Sequence, residues 1–221
     1  MRRSIKTIIG ILLLPLVVSV SRAFYGQFGN IDIFLSKGQQ YFLLGIGTYC
    51  FIQLFIFKPV YVYVLGHEAM HALATWICLG KVTSFKVSTD GGSITTSKSN
   101  LFISLSPYFI PIYSLAVIVL YYLINHVFTD GLIRPSYFML VLGLTIAFHI
   151  VMTVDTLKTR QPDLIKAGYL TSSIFIYVIN MTVVALAFGL LFEGFSFRSF
   201  MSGAYTGSLD IYRAVFNQLF L

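Results

Sequence analysis

The chain has 221 residues, 57% of them hydrophobic and 10% charged, with a net charge of +7 and a mean hydropathy of +0.84. Soluble domains carry about a quarter charged residues, so this composition excludes an ordinary soluble enzyme and predicts an integral membrane protein. The basic residues are dispersed singly between apolar runs, as charges flanking membrane spans are. No nucleic-acid partner is expected.

Six apolar runs, near 7–24, 41–57, 59–79, 101–124, 136–157 and 169–192, approach the ~20 residues that a ~30 Å hydrocarbon core requires of a helix. Helices are expected because backbone polar groups inside lipid must be satisfied within their own segment. The predicted fold is all-α and polytopic: about six transmembrane helices, with the lipid bilayer as immediate surroundings. Three segments follow from this division: N-terminal transmembrane helices at 1–58, a core at 59–192, and a C-terminal tail at 193–221.

The first run follows Arg2, Arg3 and Lys6 and ends near Ser21-Arg22-Ala23, much as a secretory leader would. It is read as a retained span with its N-terminus in the cytosol, in a bacterial inner (plasma) membrane. With six spans, the 15 basic residues divide seven against eight between the two sides, so loop charge alone does not choose an orientation. Cys50 and Cys78 lie inside apolar runs and read as small apolar residues rather than a disulfide.

The third run contains "GHEAMHALATW", residues 66–76. His67 and His71 are four residues apart, so a helix presents both imidazoles on one face a turn apart. That spacing lets both reach one Zn²⁺ at about 2.0–2.1 Å. Glu68 stands beside them, placed to take a proton from a water activated by the ion. Ionisable groups within a span are costly and usually functional, which gives this His-Glu-x-x-His pattern more weight than it has in a soluble chain.

After the third run comes "GKVTSFKVSTDGGSITTSKSN", residues 80–100. Its β-branched and aromatic residues predict two short strands, and Asp90-Gly91-Gly92 supplies the positive-φ residues of a hairpin turn. A short β-hairpin-like insertion after the histidine helix is therefore expected. In the tail, "SLDIYRAVFNQLFL" from Ser208 predicts an amphipathic helix capped by Ser208. Leu209, Tyr212, Phe216 and Leu219 share one face, suited to the bilayer surface, to a partner in a membrane complex, or to packing on the bundle.

Taken together, "GHEAMHALA", the strand-forming "GKVTSFKVSTDGGSITT", the helix of "SLSPYFIPIYSLAVIVL" with Ser-Pro at 106–107, and the helix through "FHIVMTVDTLKTRQPDL" resemble the site-2 protease type of intramembrane zinc metalloprotease, the M50 peptidases. The likeness covers residues 60–190, and the histidine motif is its specific element. It implies one Zn²⁺ per chain held by His67 and His71, Glu68 as general base, and hydrolysis of peptide bonds in membrane-protein substrates.

The third metal ligand is where the chain departs from that family, whose Asn-Pro…Leu-Asp-Gly motif it lacks. Asp163 follows a proline and opens a helix, as the family aspartate does, although an acid in a first turn is also favoured by the helix dipole. His149 lies at the depth of His67 and His71, and depth alone selects it. Asp155, six residues further on, reads as a boundary charge and stands about 240° around a helix from His149. The resemblance selects Asp163 as the ligand, with His149 as a further polar group of the catalytic site. Two other functions fit the composition: a catalytically silent scaffold subunit, and a transporter. The second predicts an internal repeat, which the chain lacks.

Overall fold

A computed structural model describes the chain except residues 1–2, 32–33, 129–131, 160 and 221. Arg2 and Arg160, counted above among the flanking charges, lie outside the described residues. The described chain is mostly helical with one small antiparallel sheet. It forms two compact units, one of residues 35–163 and one of residues 1–34 with 164–221.

The first unit begins with α3, Lys37–Phe51, and its start is written in the sequence. Ser36 accepts from the Gln39 amide and Gln39 Oε1 accepts from the Ser36 amide at 2.7 Å, a reciprocal capping box. α3 passes into a π-helical turn, Ile52–Ile56, and Pro59 then starts α4, Val60–Ile77. α4 ends with Leu79 at φ 58°, while the Gly80 amide donates to Thr75 O and the Leu79 amide to Trp76 O. This is the paired closure that usually places glycine at the left-handed position.

Strands β1, Val82–Ser88, and β2, Gly91–Thr96, pair antiparallel with Phe85 opposite Ile94 and Ser88 opposite Gly91. The turn is therefore Thr89-Asp90. Of the three residues expected to adopt positive φ only Gly91 does, at 141°. The hairpin rests on α4.

Asn100 then caps α5, Leu101–Phe109, accepting from the Ile103 amide at 2.8 Å. Pro111 opens α6, Ile112–Val127, at a bend of 70° from α5. Finally Pro135, in the first turn where its missing N–H is harmless, starts α7, Pro135–Leu157.

α3 and α7 pack backbone to backbone. A Cβ added at Gly45 would collide with the Leu140 carbonyl, and one at Gly143 with the Phe42 carbonyl. Small residues at such crossings let helices approach where lipid offers no hydrophobic drive. Beside this crossing, Tyr49, Tyr63, Ala147, Phe148 and Met152 form a buried cluster shared by α3, α4 and α7. Met70, Ala74 and Ile103 join α4 to α5.

In the second unit, α1 (Arg3–Leu12) and α2 (Leu14–Phe28) pack on α9 (Tyr169–Leu191), and α10 (Phe197–Phe220) lies along α2. Gly203 faces Ala23 and Gly207 faces Ser19, a second pairing of small residues. Phe24 meets Phe28, Phe188, Phe195 and Phe200 with ring centroids 5.2–6.2 Å apart. The expected tail helix is thus longer than the sequence pattern suggested. Ser196 caps it, accepting from the Ser199 amide, and Ser208 sits mid-helix, donating to the Ala204 carbonyl at 2.7 Å.

Among the described residues, three helical segments are long and apolar enough to cross a membrane: Ile5–Phe28, Pro135–Leu157 and Tyr169–Leu191. The bent pair Leu101–Phe109 and Ile112–Val127 makes a fourth if it is one span. The remaining two of the six expected runs form α3 and α4: the π turn and Pro59 interrupt the stretch between them, and α4, 18 residues long, carries the polar His67, Glu68 and His71. Many large apolar side chains are exposed, Leu54, Phe55, Ile77 and Leu190 among them, a surface suited to a bilayer rather than to water.

Two substitutions check this account by thermal unfolding in detergent. Gly143→Leu should destabilise the chain by about 2–3 kcal/mol, since the Phe42 backbone leaves the new side chain no space. Leu79→Gly should raise stability by about 1 kcal/mol, because relief of the left-handed leucine exceeds the entropy cost of glycine.

Candidate metal centre

α4 carries His67, Glu68 and His71, with the two histidines one turn apart. Glu68 and His71 are each 7% exposed. The two imidazoles meet edge to face, centroids 4.9 Å apart, and Tyr108 of α5 presents its ring to His67 at the same separation. The helix and these aromatic contacts position the His67 ring.

Asp163 completes the group. It lies in the first turn of α8, Pro162–Ala167, where the helix dipole favours a carboxylate. Donor atoms of His67, His71 and Asp163 all lie within 4.8 Å of one another. His71 Nδ1 donates to the Ile103 carbonyl at 2.7 Å, and its Nε2 stands 3.4 Å from Asp163 Oδ2.

The donor set suits a divalent ion. Two imidazoles and one carboxylate leave the fourth tetrahedral position open, as catalytic zinc sites do. Two ligands held 2.0–2.1 Å from one tetrahedral centre stand about 3.3–3.4 Å apart, which matches the separation of His71 Nε2 and Asp163 Oδ2. His67 Nδ1 is buried with no hydrogen-bond partner among the described residues.

The other two expected site residues fall elsewhere. His149 of α7 is buried but lies outside the three-residue group. With His67, Tyr63 and Tyr113 it lines a separate cavity of about 10 Å³. Asp155 accepts from Lys58 Nζ at 2.8 Å on one oxygen and from Lys158 Nζ at 3.0 Å on the other, so it acts as the boundary charge its position suggested. It lines the main cleft without joining the three-residue group.

That cleft, about 530 Å³, is lined by His67, Glu68, His71 and Asp163 on one wall and by Gly91–Ile94 of the hairpin on another. The hairpin comes closest at Gly92, where an added Cβ would lie 2.7 Å from Glu68 Oε1 and collide with Glu68 Cγ. The glycine pair thus does two jobs. Gly91 takes the positive φ, and Gly92 makes room for the carboxylate. Sequence reasoning credited only the turn. It also missed Ile103, whose contribution is a backbone carbonyl and leaves no mark in residue identity.

Compared with known protein families, curated proteins and solved structures, the chain matches none.

The Gly92–Glu68 contact can be measured without any assay of function. Gly92→Ala should destabilise the protein by about 1–3 kcal/mol in the presence of Glu68. In a Glu68→Ala background the same change should be nearly neutral. A double-mutant cycle of thermal unfolding reads the coupling, and additive effects would show that the hairpin does not bear on this side chain.

Proposed function

We propose that the chain is an intramembrane zinc metalloprotease of the site-2 protease type, cleaving peptide bonds of membrane-protein substrates. The observation that carries this reading is the convergence, on one cleft, of three metal-competent donors from two separate helices with a fourth group, the acidic Glu68, beside them. In this reading the six apolar runs, α3 and α4 included, lie in a bacterial inner membrane with the basic N-terminus in the cytosol.

His67, His71 and Asp163 would hold one zinc per chain. Zinc bound there supplies Lewis-acid activation of a carbonyl and lowers the pKa of water. Glu68 takes the proton of the attacking water at a carboxylate oxygen and delivers it to the departing amine. The His71 ring is kept in a single tautomer by the Ile103 carbonyl, so its Nε2 lone pair faces Asp163 and His67. Gly91–Ile94 form the opposite wall of the cleft, and their strand edge suits an extended peptide, whose backbone could add to β2. A helical substrate would have to unwind locally before its carbonyl became accessible. His149 lies one cavity away from the cleft and contributes through the surroundings of His67.

Detergent-purified protein should carry about one zinc per chain, lost in His67→Ala and in Asp163→Ala but retained in Asp155→Ala and in Glu68→Gln. Glu68→Gln should slow cleavage of transmembrane test peptides by about 10²–10⁴-fold. Normal cleavage by that variant would refute the general-base role. Zinc binding with no cleavage by the wild-type chain would favour the scaffold alternative.

A further inference from the structure

α5 carries a proline in its interior, Pro107. Proline has no amide hydrogen to offer the carbonyl four residues earlier, and its ring crowds that carbonyl. Here the carbonyl is that of Ile103. The Asn100 cap fixes the start of the helix, so the four-residue relation between 103 and 107 is set by the sequence. The released oxygen accepts the His71 Nδ1–H at 2.7 Å across the α4–α5 interface, with the Ser106 hydroxyl a longer second donor at 3.3 Å. Ile103, Ser106, Pro107 and His71 are all buried.

We propose that Pro107 is a positioning residue of the metal centre: by withholding an amide hydrogen from the Ile103 carbonyl, it leaves that oxygen to orient His71 and fix its tautomer. The proposal rests on the reading of His67, His71 and Asp163 as a metal site, and it goes beyond that reading by tying the site to a backbone group of α5. Metal-ligating histidines need such a partner on the nitrogen away from the ion, which sets ring orientation and tautomer. An ordinary helical carbonyl already accepts from the amide four residues on. An amide at 107 would therefore compete with His71 for the same oxygen. A proline whose role was only to bend α5 towards α6 would be placed at the break, and Pro111 already stands there, at the start of α6.

The test separates the missing N–H from the ring. Pro107→Ala restores an amide hydrogen. Lactic acid introduced at position 107 by nonsense suppression carries the same methyl side chain but puts an ester oxygen where that N–H would be. Both full-length proteins are purified in detergent and compared with wild type in two ways: zinc affinity by chelator competition, and the imidazole-nitrogen NMR shifts of His71 in metal-free protein.

The alanine variant should bind zinc about 10- to 100-fold more weakly and lose the single Nδ1–H form of His71. The ester should match wild type in both. Unchanged affinity and an unchanged His71 tautomer in the alanine variant would overturn the proposal. So would an ester that behaves like alanine, since the effect would then belong to the ring. A wild-type chain that takes up no zinc would defeat the metal-site reading, and the tautomer comparison would still decide the role of Pro107.

Discussion

Everything at the centre of the first unit depends on how the two nitrogens of His71 are satisfied. An imidazole buried among apolar helices is unfavourable unless both edges find partners. One edge is met by the Ile103 carbonyl of α5, and the other stands 3.4 Å from Asp163 at the start of α8. Those two contacts draw three chain segments to one point. With His71 satisfied in this way, His67 one turn away is carried to the same point, and Glu68 faces the cleft between α4 and the hairpin.

The packing around this point uses absent side chains as much as present ones. Gly45 and Gly143 allow α3 and α7 to touch through their backbones, and Gly92 admits the Glu68 carboxylate against the hairpin. Pro107 removes a hydrogen rather than an atom of bulk. In lipid, where apolar contact between helices is not driven by water, such close approach and internal hydrogen bonding supply cohesion. The large aromatic and aliphatic residues are accordingly free to cover the outside, and many do.

The protease reading draws on this arrangement in a definite way. It assigns the donors of α4 and α8 to one ion, the acid beside them to proton transfer, and the strand edge opposite to an extended peptide. Each assignment concerns a separate element, so each can fail alone. The scaffold alternative keeps the same fold and the same His71 contacts and differs only in the chemistry at Glu68. The transporter alternative calls for an internal repeat, which the sequence lacks.

Much of this was legible in the residues themselves. Composition alone pointed to a mostly helical chain with segments apolar enough to cross a membrane, and the four-residue spacing of His67 and His71 determined a shared helix face, since both properties are local. The strand segment was readable for the same reason, from its β-branched residues and glycines. Helix ends were less so. Ser208 has the chemistry of a cap but lies mid-helix, because α10 gains a longer packing surface against α2 by starting after Ser196.

Only the tertiary structure decided what meets His71. Depth along the sequence pointed to His149, but depth fixes height in a bundle and not direction around it. His149 opens on another cavity, while Asp163, beyond the end of α7, returns to the histidines through the turn before α8. The Ile103 carbonyl is beyond sequence reading for a deeper reason: every residue has a carbonyl, and only the packing of α5 on α4 determines which one an imidazole can reach.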